Sequence, residues 1–171
     1  MAPNRAWSWK MFACATTLLC GCGSEKGTGS TSSPNLVPAS RAAALDSVCR
    51  DAVNADRATL SLVALKSWAD SLPCISRQTD LDAATGTAHA HFGICAESAQ
   101  NTCPGWPTDT TFTREAATLK SCLASMWAEG PGSDYSTHGH YINMTNTGYT
   151  KVGCGFHTDD GATAWIDIDF R

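Results

Sequence analysis

Charge is scarce in this chain of 171 residues. Asp, Glu, Lys and Arg make up 16%, below the roughly 25% of an average globular protein. That thinness suits an extracytoplasmic protein held by covalent links better than a cytosolic enzyme. The net charge is −4 and no basic stripe runs along any segment, which argues against a nucleic-acid partner. No CxxC pair occurs, so the common zinc-finger spacing is missing. No internal repeat is present. No elbow motif surrounds Ser136 or Thr137, the hydroxyls nearest in sequence to His140, so no convincing nucleophile emerges. The longest apolar run near the N-terminus, Met11 to Cys20, is too short to span a bilayer.

What is there begins with that same segment. Arg5 and Lys10 form a positive n-region, and the apolar run ends in Leu19-Cys20-Gly21-Cys22. This resembles a bacterial lipobox, in which a small residue precedes the Cys that carries the lipid. Gly21 fits the small position, which selects Cys22 over Cys20. The expectation is a lipoprotein signal peptide over 1–21 and a membrane partner reached through the lipid. Asp is absent after the anchor, where Gly23 and Ser24 stand, which points to the outer membrane or cell surface. Residues 22–40 are rich in Gly, Ser, Thr and Pro, and such a stretch cannot bury enough apolar surface to order itself. It reads as a flexible tether. The folded domain is expected over 41–171, and with 43% hydrophobic residues a real core is available.

Nine cysteines are present. Removing Cys14 and Cys20 with the signal, and Cys22 by lipidation, leaves Cys49, Cys74, Cys95, Cys103, Cys122 and Cys154. An even set in an oxidising compartment reads as three disulfides. Sequence does not choose the pairing. Cys95 with Cys103 would close a short loop, and Cys122 with Cys154 would tie a helix to a strand.

Apolar periodicity predicts a helix in which Ala42, Ala43, Leu45, Val48, Cys49, Ala52 and Val53 recur at helical spacing, with Ser40 as its cap. A second helical stretch is expected near Leu65–Ser71, closed by Pro73, and a third opening at Asp80. Cys95–Thr111 reads as a loop. Thr113 caps a fourth helix with the stripe Ala116, Leu119, Leu123 and Met126, stopped by Gly130-Pro131-Gly132. The segment Gly139–Met144 is short and mixed. Lys151–His157 and Ala162–Phe170 read as strands around an Asp159-Asp160-Gly161 turn. In the last strand Ile166, Ile168 and Phe170 share one face and Asp167 and Asp169 the other. Helices first and strands last argue for α+β. Trp127 and Trp165 are expected in the core, Trp68 and Trp106 at the surface.

Gly139-His140-Tyr141-Ile142-Asn143-Met144, followed by Lys151-Val152-Gly153-Cys154-Gly155, resembles the signature of the CAP superfamily of cysteine-rich secretory, antigen-five and pathogenesis-related proteins. Ser125-Met126-Trp127-Ala128-Glu129 is similar to that family's helix ending in aromatics and a Glu, with Met126 where Trp is usual. Ala88-His89-Ala90 is similar to its AHA helix, and Asn54 and Arg57 to the Asn and Arg of its first helix. The resemblance is dense from Met126 to Gly155 and loose before Thr113. It implies a three-layer α-β-α sandwich with a mostly antiparallel central sheet. It also implies a cleft lined by two His and two Glu. By position these are His89, His140 and Glu129, with Glu97 as the fourth. The family's GEN motif is missing, and Cys95-Ala96-Glu97-Ser98-Ala99 is the closest match; Glu115 is the alternative.

Two neutral imidazoles can hold a divalent transition metal such as zinc, and a carboxylate can orient a ring by accepting its other N–H. His89 and His140 are therefore the expected metal pair, weakly binding. His138 would join them if its segment were extended. Three functional readings follow: a non-enzymatic module binding a cation, small ligand, lipid or protein; a metal-dependent envelope hydrolase or protease with Glu129 as base; and a purely structural surface domain.

Overall fold

The computed structural model describes residues 37–158 and 161–171. The expected signal peptide, the lipidation site Cys22, most of the tether and the Asp159-Asp160 turn lie outside these residues.

Helix α1 spans Ala39–Thr59 and buries Ala42, Leu45, Cys49 and Val53 of its apolar set, leaving Val48 and Ala52 half-buried and Ala43 exposed. Its first turn is closed by the carbonyl of Pro38, which accepts from the N–H groups of Arg41 and Ala42, and not by Ser40. Its last turn buries Arg57, whose guanidinium donates to the carbonyls of Val63, Met144 and Asn146. Asn54 bridges the same corner through both amide atoms to Leu65.

The next region departs from the expectation. Lys66–Ser67 form the short strand β1, a single 3₁₀ turn covers Ala69–Ser71, and α2 runs over Leu72–Thr85. Pro73 opens α2 instead of closing a helix, because a first-turn residue needs no N–H partner. Asp80 is therefore mid-helix, and Gly86 at φ +63° ends it. Ala88 and Phe92, expected on one face of the helix opening at Asp80, lie in a series of turns over 88–95. The expected loop from Cys95 contains strand β2, Ala99–Pro107, whose Pro104-Gly105 coincides with a register break between Cys103 and Trp106.

Helix α3 covers Phe112–Trp127, capped by the Thr111 hydroxyl and not by Thr113. Leu119, Leu123 and Met126 are buried as expected, with Ala116 half-buried. The segment 139–144 belongs to helix α4, Tyr135–Thr145, capped by Asp134. Strands β3, Lys151–His157, and β4, Thr163–Phe170, follow.

The sheet order is β1-β3-β4-β2, parallel only between β1 and β3. Helices α1, α3 and α4 pack on one face and α2 on the other, giving three layers. Ile166, Ile168 and Phe170 turn toward α1 and α3, where they join Leu45, Val53, Leu119, Leu123 and Met144 in one buried cluster. Each such side chain contributes about 1.5–3 kcal/mol by leaving water. Asp167 and Asp169 point the other way, under α2. Opposite them in register stand Gly155 and Gly153 of β3. A Cβ at Gly155 would fall 1.9 Å from Thr79 Oγ1, and one at Gly153 2.4 Å from Ile75 Cδ1. These bare positions let α2 lie directly on the β3 backbone.

Three disulfides form: Cys49–Cys154, Cys74–Cys95 and Cys103–Cys122. Neither pairing suggested by spacing occurs. Cys95 belongs to the small cluster with Trp68 and Ile75 on the α2 side, while Cys103 faces α3, so the sheet separates them. Cys154 shares the face of Ile168 and meets α1. The same helix supplies Asp46, whose carboxylate accepts the Cys154 N–H at 2.9 Å. Trp68 is 6% exposed, against the surface position expected for it. Trp106 and Trp127 pack half-buried on the main cluster. Trp165 is half-buried but not part of that cluster. Among the described residues no helix is long and apolar enough to cross a membrane.

Candidate functional site

The site elements converge on β2, the edge strand, at Gln100-Asn101-Thr102. Gln100 and Thr102 point to the α2 layer, and Asn101 points to the α3/α4 layer. His89 comes from the turns after α2. Its Nδ1 lies 2.8 Å from Gln100 Oε1 and 3.3 Å from Thr102 Oγ1, and its ring is exposed. Its backbone is left-handed at φ +63°. His140 comes from α4, and its carbonyl accepts from Asn101 Nδ2 at 3.2 Å. Asn143 fixes the same asparagine by donating to its Oδ1 at 2.8 Å.

Glu129, just beyond α3, binds His140 closely. Its Oε1 lies 2.5 Å from His140 Nδ1, and its Oε2 accepts the backbone N–H groups of His140 and Tyr141. The His140 side chain is 37% exposed. Since the carboxylate can only accept, His140 Nδ1 carries the proton of this contact, and in the neutral ring Nε2 keeps its lone pair. Trp127 flanks the pair by packing on Tyr141, ring centroids 4.7 Å apart.

His138 does not join them. In a helix two residues apart face nearly opposite directions. Its Nδ1 is instead held by the carbonyls of Glu129 and Gly130, and a Cβ at Gly132 would strike its ring. Glu97 is buried, and its oxygens accept from Gln78 Nε2 and from the backbone N–H groups of Gly93 and Cys95. It holds the turns together from within. Glu115 is buried in α3 and pairs with Arg41 at 2.6 Å, where desolvation raises its pKa and the guanidinium opposes the rise.

Beneath His89 lies a set of acids that sequence reading did not single out. Asp82 of α2 accepts from both the backbone N–H and the Nδ1 of His91. Asp167 and Asp169 are fully buried, and none of their four oxygens has a partner in good hydrogen-bond geometry, although Thr102, Thr79 and Trp165 lie near the first and Gln100 near the second. Burial pushes Asp167 up to about 7, with Asp82 adding to the rise; Thr102, Thr79 and Trp165 temper it. Burial, then Glu97 and Asp167, push Asp169 up to about 8, tempered by Gln100. The sequence clues were the β4 alternation, which puts Asp167 and Asp169 on one face, and the Gly-Cys-Gly alternation of β3, which clears the α2-facing side beside them.

Among the described residues no group of three or more His, Cys, Asp or Glu is arranged to hold a metal ion. His89 and His140 each have Nδ1 engaged, by Gln100 and by Glu129, and show no hydrogen bond at Nε2. A groove of about 780 Å³ lies elsewhere, between the start of α1 and α2, lined mainly by apolar residues such as Val37, Leu72, Pro73, Leu81 and Phe156.

The family model described as CAP, cysteine-rich secretory protein family, matches residues 5–166. This chain is a CAP-family protein. The α-β-α layering expected of a CAP domain is the layering described above. Among solved structures the chain is similar to Na-ASP-1, with 16% sequence identity and a TM-score of 0.48. The match covers 81% of this chain and 38% of Na-ASP-1, so this CAP protein spans well under half the length of that structure. No curated protein matches it. Three disulfides in a CAP domain fit an oxidising, extracytoplasmic compartment.

Proposed function

We propose that this CAP protein is a lipid-anchored envelope binding module whose His89, His140 and Glu129 line one cleft. The cleft takes up a divalent transition cation, with zinc as the probe, or a small ligand. The observation that supports this is the common way the two rings are held. Each has Nδ1 engaged, by Gln100 Oε1 and by Glu129 Oε1, and each leaves Nε2 without a hydrogen-bond partner. A metal-ligating imidazole is oriented in this manner, by an acceptor on its second nitrogen. His89 through its ring, and His140 through its backbone carbonyl, are also bonded to consecutive residues of one edge strand. Two nitrogens with water in the other positions make a weak, exchangeable site.

The hydrolase reading needs Glu129 as a general base. Both of its oxygens are occupied by His140 and Tyr141, which favours an orienting role instead. Isothermal titration with zinc on wild type, His140→Ala and His89→Ala tests the proposal. The expected result is heat in wild type and its loss in both variants; equal heats in all three overturn it. Peptide and ester hydrolysis abolished by a chelator and by Glu129→Gln would establish the enzyme instead. The anchor is tested by detergent-phase partitioning. Wild type is expected in the detergent phase and Cys22→Ser in the aqueous phase.

A further inference from the structure

We propose that Asp169, acting through the Gln100 carboxamide, selects which ring nitrogen of His89 carries the proton. The β2–β4 register sets Gln100 directly opposite Asp169. Gln100 is 5% exposed and Asp169 fully buried. The Gln100 Oε1 meets His89 Nδ1 at 2.8 Å, while Gln100 Nε2 and both oxygens of Asp169 have no partner in good geometry, and the Gln100 side chain is near enough to Asp169 to favour its ionised form. The carboxamide thus stands between an imidazole and a carboxyl, with an unpaired donor beside an unpaired acceptor.

The chemistry of the three groups links them. An ionised Asp169 can only accept, so it draws the Gln100 N–H toward itself and turns Oε1 to His89. His89 must then carry its proton on Nδ1, and its Nε2 lone pair is presented outward. A protonated Asp169 has an O–H to donate. The carboxamide is then free to turn over, accepting from Asp169 through Oε1 and donating an N–H to His89 Nδ1. In that arrangement the ring proton resides on Nε2. The proton of Asp169 is exchanged with solvent, and the ring keeps one proton throughout, so no other reactant is needed.

The charges facing Asp169 all oppose its ionisation. Glu97 approaches from the turns before β2, Asp167 from β4 itself, and Asp82 from α2, where it is paired with His91. Strand β3 presents Gly153 and no charge. Burial and these neighbours bring the Asp169 transition to about 8, within reach of ordinary solution conditions. Asp169 is a positioning residue, and the consequence for metal uptake rests on the reading of His89 as an Nε2 ligand. The tautomer selection does not.

The test is long-range proton–nitrogen correlation spectroscopy of the full-length protein, reading the His89 ring at about pH 7.5 and about pH 9, on either side of the Asp169 transition. In wild type the Nδ1-protonated form is expected to grow with pH, the two nitrogen shifts moving in opposite directions. Asp169→Asn, a neutral isostere, and Gln100→Met, which severs the link, are each expected to show no change between the two conditions. A wild-type ring that does not respond, or variants that respond like wild type, overturn the proposal. Zinc titration of the same samples keeps the two readings apart. Zinc uptake without a tautomer response refutes the present inference and leaves the binding module standing. A tautomer response without zinc uptake does the opposite.

Discussion

Replacing Asp169 by Asn should make this protein more stable near neutrality and leave it unchanged in acid. The wild-type carboxyl moves from 3.8 to about 8 on folding because α2 and the sheet remove it from water. Folded protein therefore keeps a proton that unfolded protein releases. The associated stability is fully present below about pH 4 and is lost as pH rises through about 8. At pH 7 the carboxyl has forfeited the interval between its unfolded value and the solution pH, about three units, or about 4 kcal/mol. Asn ionises in neither state and forfeits nothing. Urea melts with disulfides intact, followed by tryptophan fluorescence, should show Asp169→Asn about 4 kcal/mol more stable than wild type at pH 7 and equal to it near pH 4. An equal gain at both pH values, or a loss at pH 7, would refute the reasoning. Asp167, raised to about 7, obeys the same sign. The two carboxyls are coupled, so the double replacement should give less than the sum of the singles.

Gly155→Ala should lower stability by about 1–3 kcal/mol, because its Cβ would meet both the Thr79 side chain and the Ile75 carbonyl. Adding Thr79→Ala should restore part of the loss in the same melts, and no recovery would place the strain elsewhere. Removing Cys49–Cys154, with a sequence separation of 105, should cost about 4–5 kcal/mol. Removing Cys74–Cys95 or Cys103–Cys122, with separations of 21 and 19, should cost about 3 kcal/mol. Equal costs for all three would show that loop closure does not govern their contribution.

Regular periodicity made much of the fold legible. Much of the α1 and α3 stripes and the Ile166, Ile168 and Phe170 face of β4 are buried as their patterns require, while Asp167 and Asp169 on the other face are buried too, under α2. The readings failed where one residue carries two meanings. Pro73 ends some helices and begins others, and only the turn before it, closed by Trp68 and Ser71, decides which. Strand β2 was hidden because its buried face uses Gln100 and Thr102, polar residues that serve the α2 layer. Alpha-four was hidden because Tyr135–Thr145 lacks an apolar stripe and is held by Asp134, Glu129 and Asn101. The motifs around His140 and Glu129 led to a pair that the structure brings together. The motif around His89 led to a ring held by Gln100, and nothing in spacing could reveal that partner. Disulfide pairing was unreadable because it depends on which side of the sheet each thiol faces.

The left-handed backbone at His89 sets its own cost against the imidazole. Glycine would relax that turn by about 1 kcal/mol, whereas histidine must bear the crowding of its Cβ. Libraries selected for heat resistance alone should therefore drift to glycine at position 89. Libraries selected for ligand capture should retain histidine. The residue at which the two selections part company marks where this scaffold trades comfort for chemistry.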